Sequence, residues 1–420
     1  MARQTRSYRP LRARGMALLL VVISLALISA VVTDLLVEEQ SQYQVALRQR
    51  DALKAEALAE SGLNIASLFL TIEAPIQGYF TQFASFGVPL PKHTVWEMLS
   101  IDSNLLGGLI SGDLATTLGM DVSEAVKKRK EEEKKKLDEK MKEREQKTRT
   151  KTGLFIPPEG GFGAFEGSFN VAMTDEESKI SFRAWAAEPV QADRSKTRKL
   201  LAALFVPIKY DPLFKKVSRA ELIANIYDYL DVDEVRINPN APSDSWGTPF
   251  GGSERDLYLS TKGVFPKNAY FDSLGELNLV PGFTDRHMEA FGDALTIYGQ
   301  GQKINILSAK EPVIEPLIRY CAQNDLEPNL QQQIWVDTAV KKWMQYKTMG
   351  GGPVNEAGFM QFLKTLPLSV NQKDCQDILG VESKNFTLKS QATVNGVSRT
   401  LTLVARVNKG EQERYYFRGQ

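Results

Sequence analysis

Few residues of this 420-residue chain are suited to metal or nucleophilic chemistry. It contains two histidines, His93 and His287, and two cysteines, Cys321 and Cys375. Neither pair has the spacing of a zinc site, and the set is too small for an iron–sulfur cluster or a Cys–His catalytic pair. The sequence also lacks the GxSxG, GxxxxGK[ST] and HExxH motifs. We therefore expect a protein that is not an enzyme.

A group of carboxylates is a better candidate for a site. Asp231, Asp233 and Glu234 follow a predicted helix, and Glu254 and Asp256 lie beyond a connector rich in proline and asparagine. Oxygen ligands gathered by a flexible loop suit Ca²⁺, which takes roughly six to eight of them. The spacing is not that of an EF-hand, and carboxylates near the end of a helix are commonly just solvated. The residues alone leave both interpretations open.

The elements that must hold these residues begin with an apolar N-terminal segment. No charged side chain occurs from Met16 to Thr33, and the apolar run resumes after Asp34 as far as Val37. About 20 apolar residues in a helix cross a bilayer core of roughly 30 Å. The preceding arginines favour a cytoplasmic N-terminus, so the rest of the chain would lie in the periplasm. A secretory signal peptide is the alternative, although the run is long for one and no convincing A-x-A site follows it.

The chain after this segment has the composition of a helix. The string EEQSQYQVALRQRDALKAEALAESGLNIASLFL ends at Leu70, lacks proline and is rich in helix-forming residues. One apolar stripe recurs along it at helical spacing: Leu58, Gly62, Ile65 and Phe69. We predict one helix from Met16 to Leu70, about 80 Å long, with its inner half in lipid.

The start of this helix resembles a known leader. Arg14-Gly15-Met16-Ala17-Leu18-Leu19-Leu20 is similar to the class III leader of type IV pilins and pseudopilins, in which a prepilin peptidase cuts after the glycine. The string QRDALKAEALAESGLNIA resembles the K-type minor pseudopilin of bacterial type II secretion, the general secretion pathway protein K family. The resemblance implies cleavage between Gly15 and Met16, followed by the methylation expected of such a substrate.

One position departs from the general pilin pattern. Pilin-like subunits usually have glutamate as the fifth mature residue, where this chain has Leu20. A carboxylate at mid-depth in a bilayer costs about 2.5–3.5 kcal/mol, so it is tolerated chiefly where a neighbour's N-terminus compensates it. The K-type family lacks this glutamate, so the resemblance implies a subunit at the tip, with no neighbour above it. A lipid-facing leucine in an unrelated anchor is the alternative.

Three strings further along resemble the same family. They are AELIANIYDYLDVDEV, Glu254-Arg255-Asp256-Leu257-Tyr258 and FDSLGELNLVPGF, which ends at Phe283. With them, the match covers most of the chain outside residues 71–160. It implies an α+β fold in which a long transmembrane and amphipathic helix packs on a small antiparallel pseudopilin sheet, interrupted by a large helical domain of the sterile-alpha-motif (SAM-like) type.

The predicted organisation follows from these strings and from periodicity. Phe165–Met173 and Lys179–Trp185 alternate around a polar turn and predict a β-hairpin, as do the runs that flank Asn395-Gly396. In chain order the parts are a leader (1–15), transmembrane (16–37) and periplasmic (38–72) helix, a variable region (73–160) with a charged insertion (124–151), a first hairpin (161–189), the SAM-like domain (190–300), a return strand (301–310), a second helical segment (311–382) and C-terminal strands (383–420).

Charge and cysteine content add two expectations. The formal net charge of +1 argues against a globally basic nucleic-acid binder, and loss of the leader's five arginines would lower it to about −4. The charged insertion is typical of a solvated helix or a disordered segment, with lipid or nucleic-acid binding as the alternative. In the periplasm, Cys321 and Cys375 could form a stable disulfide, and two separate buried thiols are the alternative.

The resemblance implies a function without catalysis. A K-type minor pseudopilin caps the tip of the pseudopilus in the type II secretion system and helps to initiate its assembly for protein export across the outer membrane. The implied partners are the other minor pseudopilins, the major pseudopilin, prepilin peptidase and inner-membrane lipid, with no nucleic acid. Members of the family bind calcium in the helical domain, which favours Ca²⁺ at the carboxylates named above.

A rival function belongs to another class. The string LNLVPGF also fits the turn of a helix-hairpin-helix motif, so the chain could be a single-span envelope protein that binds DNA. Such a turn needs basic neighbours to hold a phosphate. Its neighbours are mostly acidic: Asp272, Glu276, Asp285 and Glu289. We therefore expect a packed structural turn.

Overall fold

The computed structural model describes residues 12–84, 101–103, 167–185, 191–299, 303–324, 327–349, 354–408 and 411–419. The helices are α1 (Arg12–Ala84), α2 (Gln191–Phe205), α3 (Arg219–Asp228), α4 (Glu254–Lys262), α5 (Asp285–Phe291), α6 (Glu311–Cys321), α7 (Gln333–Met349), α8 (Glu356–Thr365) and α9 (Gln372–Ile378). Short 3₁₀ helices are Phe182–Trp185, Ile208–Phe214, Leu274–Leu279 and Gly292–Ala294.

The strands fall into one main sheet and three small pairs. They are β1 (Ile101–Asp102), β2 (Ser168–Asp175), β3 (Ile180–Ser181), β4 (Val235–Ile237), β5 (Pro249–Ser253), β6 (Leu295–Thr296), β7 (Ile304–Asn305), β8 (Leu379–Gly380), β9 (Asn385–Val394), β10 (Val397–Asn408) and β11 (Glu411–Gly419). The main sheet has the order β1-β2-β9-β10-β11 and is antiparallel throughout. The small pairs are β3-β6, β4-β5 and β7-β8.

The inner part of α1 has the character of a membrane span. In the described part of the chain, Met16–Thr71 is the helix long and apolar enough to cross a membrane, with a mean hydropathy of 2.8 over its most apolar window. No residue of that window is buried in the protein. A helix that is apolar on every side and uncovered by protein needs lipid around it. This stretch contains the predicted transmembrane residues 16–37.

The helix is longer than the sequence predicts at its outer end. We expected a loop with short helices after Leu70, because Pro75 interrupts the apolar pattern, but α1 continues to Ala84. A proline inside a long helix removes one backbone hydrogen bond and bends the helix without necessarily ending it. The variable region also contains β1, which pairs with β2. The charged insertion lies outside the described residues.

The outer part of α1 packs on the main sheet. Its buried side chains are small or apolar and repeat at helical spacing: Ala55, Leu58, Ala59, Leu63, Ala66 and Leu70. Gly62 permits the close approach, because a Cβ there would lie 2.7 Å from side-chain atoms of both Phe169 and Ser390. Together, this face and the sheet form one of two separate hydrophobic cores in the described chain.

The C-terminal hairpin has the turn that its sequence predicts. Asn395 and Gly396 have φ angles of 48° and 79°, and Val394 pairs with Val397 across them. Two consecutive left-handed residues are the requirement of a type I′ turn, whose twist matches that of the flanking strands. Asn395 also donates a hydrogen bond from Nδ2 to Asp51 Oδ2 on α1 at 3.1 Å. The turn therefore contributes to the contact between helix and sheet.

The predicted first hairpin, at 161–189, is wrong. β2 pairs with β1 and β9, whereas β3 leaves the sheet and pairs in parallel with β6. The reason lies in the turn Asp175–Lys179, whose three carboxylates are buried instead of solvated. They bond to distant segments of the chain, and this directs β3 into the helical unit (residues 180–380) instead of back along β2.

The helical unit has its own core. It is rich in aromatic side chains, and the largest that are fully buried are Trp185, Trp246, Trp343, Tyr227 and Tyr258. A disulfide joins Cys321 at the end of α6 to Cys375 on α9. The predicted α+β class, with a long helix on a small antiparallel sheet and an inserted helical unit, is thus confirmed. Its SAM-like character stays a prediction.

Candidate metal centre

Three acidic side chains meet where α3, the loop after it and α4 come together. Asp228 is the last residue of α3, which is capped at its start by the Ser218 side chain accepting from Glu221 N. Asp231 lies in the following loop. Glu254 is the first residue of α4, beyond the β4-β5 pair. The antiparallel pairing of Val235 with Ser253 brings Glu254 back beside the end of α3.

The three carboxylates form a compact, buried group. One oxygen from each of Asp228, Asp231 and Glu254 lies within 4.8 Å of the other two. Asp228, Asp231 and Glu254 are 1%, 7% and 0% exposed, respectively. Like charges this close, removed from water, repel strongly in a medium of low dielectric constant. A counter-charge is therefore required if all three are ionised.

Most oxygens of this group have no donor. Asp228 Oδ1 accepts from the backbone N–H of Ile237 at 3.2 Å. Among the described residues, Asp228 Oδ2, Asp231 Oδ1 and both oxygens of Glu254 are buried without a hydrogen-bond partner. Buried carboxylate oxygens are nearly always satisfied, because an unsatisfied one costs the full desolvation free energy. The donor set, all hard oxygen, fits a divalent cation such as Ca²⁺.

The pKa values of the three carboxyl groups in the cation-free protein also favour a cation site. Burial raises the pKa of Asp228 to about 7. Burial, and then repulsion by Asp228, raises the pKa of Asp231 to about 8, and burial together with repulsion by both aspartates raises the pKa of Glu254 to about 9. Without a cation, the group therefore holds protons at neutral pH. A bound divalent ion would reverse the preference, because it favours the ionised form.

A cleft gives access to the group from solvent. It has a volume of about 250 Å³ and lies beside Asp231. Its lining combines one cation, two carboxylates and apolar side chains: Arg194, Tyr227, Asp231, Val232, Asp233, Gly247, Thr248 and Pro249. The Arg194 guanidinium donates to Gly247 O at 3.2 Å and leaves Asp231 without a direct ion pair in the described structure. An ion can thus enter at the side of Asp231.

The structure brings together two of the five predicted ligands, Asp231 and Glu254. Asp233 lies outside the group, and its Oδ1 accepts from Val235 N at 2.8 Å. Glu234 faces Arg255 at 3.8 Å across an exposed pair. Asp256 is exposed, and its backbone N–H is bonded by the Ser253 cap at 3.2 Å.

Sequence reasoning missed Asp228. We treated it as part of the helix, whereas residues after the helix attracted attention because loops gather ligands. A signal was available, because Asp228 lies three and four residues after Asn225 and Ala224, on a face of α3 that is buried. A lone acid on the buried side of an amphipathic helix indicates either a partner or a ligand.

The LNLVPGF turn is packed into the helical unit. Three of its apolar side chains, Leu277, Val280 and Phe283, are fully buried, whereas Leu279 is 38% exposed. Lys262 Nζ donates to the carbonyl oxygens of Asn278 at 2.7 Å and Phe283 at 3.0 Å. A nearby cation is therefore already bonded to the backbone of the turn, which disfavours the DNA-binding alternative.

The predicted N-terminal features are placed only in part. The Gly15–Met16 junction falls inside α1, and residues 1–11 lie outside the described residues. Leu20 is 64% exposed on the membrane part of α1. Nothing in the fold tests cleavage or the role of Leu20, and both stay predictions.

Fold and site together define a class: an α+β protein that has, among its described residues, an apolar helix long enough to span a membrane and a buried tri-carboxylate group. A scan against protein-family models and a search of curated proteins find no match to the chain. Among solved structures, the chain is similar to one in the GspK-GspI-GspJ complex from the enterotoxigenic Escherichia coli Type 2 Secretion System. The two are 17% identical, with a TM-score of 0.41, over 62% of this chain and 82% of that one.

Proposed function

We propose that this protein is a K-type minor pseudopilin of type II secretion that caps the pseudopilus tip and helps to start its assembly. The observation that carries the proposal is the architecture of α1. Its apolar inner part is not covered by the rest of the protein, and it continues without a break into an outer part packed on an antiparallel sheet. The leader-like residues before Met16 and the family strings supply the rest of the support. We propose the inner membrane as its location, with the sheet and helical unit in the periplasm.

Three features of the chain suit assembly from one side only. The outward face of α1 still exposes large apolar side chains beyond the predicted membrane span, with Leu53 at 68% and Leu68 at 60% exposure. Such a face can pack against helices of other pseudopilins. The helical unit is large and would obstruct a subunit added above it. Leucine at position 20 leaves no carboxylate to pair with the N-terminus of such a subunit.

We also propose that Asp228, Asp231 and Glu254 bind one Ca²⁺ ion. The unpaired, buried oxygens of these residues support it. A bound cation would neutralise the group and hold α3, the loop after it and α4 together. Its role would be structural, stabilising the helical unit that forms the cap.

Leader processing tests the pseudopilin proposal. Coexpression of the full chain with a prepilin peptidase should yield protein that begins at Met16 by N-terminal sequencing, and an inactive peptidase should leave Met1. Gly15→Leu should prevent cleavage, whereas Ala13→Leu, the same side chain two residues earlier, should permit it. A mature chain that still begins at Met1 beside an active peptidase would refute the proposal.

A further inference from the structure

We infer that Asn268 is a positioning residue for the cation site, because it fixes both ends of the loop that carries Asp231. The inference deepens the proposed Ca²⁺ binding and rests on it. Asn268 is remote from the group in sequence and lies between α4 and the 3₁₀ helix Leu274–Leu279.

The backbone of Asn268 has an uncommon conformation. Its φ angle is 50°, and Asn395 is the other non-glycine residue with a positive φ in the described chain. This left-handed region is costly for most side chains, and asparagine tolerates it better than others do. At Asn395 a type I′ turn requires the conformation. At Asn268 no strand hairpin requires it, so another interaction must favour it.

That interaction is a pair of hydrogen bonds to one loop. The backbone N–H of Asn268 donates to Tyr229 O at 3.0 Å, and its side-chain Nδ2 donates to Asp233 O at 2.6 Å. Tyr229 and Asp233 lie two residues before and two residues after Asp231. A single residue therefore clamps the loop on both sides of the ligand.

The clamp acts on a segment with little other support. Tyr229 O is one of the carbonyls at the end of α3 that lack an intrahelical partner, and Asn268 satisfies it. Within the loop, Asp231 N donates to Tyr227 O at 3.0 Å, which anchors the first half. The second half is held by the Asn268 side chain, by the Val235 N–H, which donates to Asp233 Oδ1, and by the Glu254 N–H, which donates to Glu234 O at 3.2 Å. Loss of the side-chain bond should leave the Asp231 carboxylate less ordered.

Asn268→Gly removes only the side-chain bond. Glycine adopts the same backbone conformation without strain and keeps the N–H that donates to Tyr229 O. Asn395→Gly is the matched control, because it makes the same change at the other left-handed asparagine, in the turn between β9 and β10 of the main sheet. The measurement is calorimetric titration of full-length, chelator-stripped protein in detergent with CaCl₂, together with the melting temperature of each cation-free form.

We expect Asn268→Gly to weaken Ca²⁺ binding about 10-fold, as loss of an outer-shell partner does, and Asn395→Gly to leave it unchanged. A merely structural asparagine would lower the cation-free melting temperature without changing the affinity. Equal affinity of Asn268→Gly and the unaltered protein would overturn the inference alone. Absence of Ca²⁺ binding by the unaltered protein would overturn the proposed site and the inference with it.

A second variant protects the test against a folding defect. Asn268→Asp retains tolerance of the left-handed conformation but replaces the Nδ2 donor with an acceptor facing Asp233 O. It should weaken binding at least as much as the glycine variant. An aspartate variant with unaltered affinity would also overturn the inference.

Discussion

Two groups of three carboxylates are buried in the described part of this protein, and they differ in what their oxygens contact. The turn between β2 and β3 contains Asp175, Glu176 and Glu177, which are 1%, 3% and 7% exposed. The group at the end of α3 is buried to the same degree. In the first group the oxygens are surrounded by donors, whereas in the second most have none.

The turn is a joint between the sheet and the helical unit. Asp175 Oδ2 accepts from Asn305 Nδ2 at 3.0 Å and from the hydroxyls of Ser308 and Ser383. Glu177 accepts from the backbone N–H of Asn385 at 2.9 Å and from its side chain at 2.5 Å. These bonds tie together the places where the chain passes between the two cores.

Glu176 completes the joint. Its carboxylate accepts from Lys179 Nζ at 3.0 Å and Thr387 Oγ1 at 2.6 Å, and also from the Thr296 hydroxyl. Three acids of one turn thus bind β6, β7 and β9. Burial of an acid therefore does not by itself indicate a ligand site. The supply of donors distinguishes a structural joint from a group that needs a cation.

The largest expected effect is loss of the joint. Asp175→Ala would remove the acceptor of the Ser308 and Ser383 hydroxyls and one of the two acceptors of the Asn305 amide, so we expect a loss of about 3 kcal/mol or more in the free energy of unfolding. Thermal and denaturant unfolding of the full chain measures it. Asp293→Ala, at an exposed aspartate of the helical unit, is the control and should change stability by less than about 0.5 kcal/mol. If Asp175→Ala and Asp293→Ala had similar stability, the turn between β2 and β3 would not be a structural joint.

Replacing one glutamate by glutamine in each group should have different effects on Ca²⁺ binding and on stability. Glu254→Gln should lower Ca²⁺ affinity about 100-fold, because it removes a ligand charge, and should raise the cation-free melting temperature by about 2–4 °C through relief of repulsion. Glu177→Gln should lower stability and leave Ca²⁺ affinity as it is. Its amide would face the N–H groups of Asn385, so stability should fall by about 2 kcal/mol with Ca²⁺ affinity unchanged. If both variants lost stability equally, the two groups would not differ as described.

The smallest expected effect is on pH dependence. In the cation-free protein, the pKa values of Asp228, Asp231 and Glu254 are raised to about 7, 8 and 9, above the ordinary values for the unfolded chain. The folded state then binds more protons, so the contribution of these three groups to stability is complete below about pH 4 and is lost as pH rises to about 9.

The Glu254→Gln variant isolates that contribution. Burial also raises the pKa of Glu177 to about 7. Glu177 therefore makes stability decline with pH in the unaltered protein and in the variant alike, and this effect cancels when the two pH profiles are subtracted. We expect a shallower decline of melting temperature between pH 5 and 9 for the variant in the presence of a chelator. Superimposable pH profiles would contradict the assigned environment of Glu254.

Local signals in the sequence predicted much of the fold. The uncharged run after Met16 and the proline-free string to Leu70 predicted α1, and Asn395-Gly396 predicted the last hairpin, because each depends on neighbouring residues. The partner of β3 could not be predicted in this way. It depends on donors such as Asn305 and Asn385, which lie far along the chain from the acidic turn.

The site was predictable to a similar extent. Asp231 and Glu254 stood out because acidic residues cluster on either side of a loop, although Asp233, Glu234 and Asp256 had the same appearance. Only the β4-β5 pairing, which turns Glu254 inward and leaves Asp256 at the surface, separates these residues. Asn268 gave no signal in the sequence, because its role depends on a single φ angle and a contact with a distant loop.

Direct titration with Ca²⁺ tests the central contrast between the two groups. Full-length protein in detergent, stripped with a chelator and titrated at pH 7.5, should bind one Ca²⁺ per chain with release of protons from the Asp228, Asp231 and Glu254 group. Its melting temperature should rise with Ca²⁺ concentration, and Glu254→Gln should need about 100-fold more Ca²⁺ for both responses. No saturable binding, or equal binding by Glu254→Gln, would contradict the assignment of these three residues as a cation site.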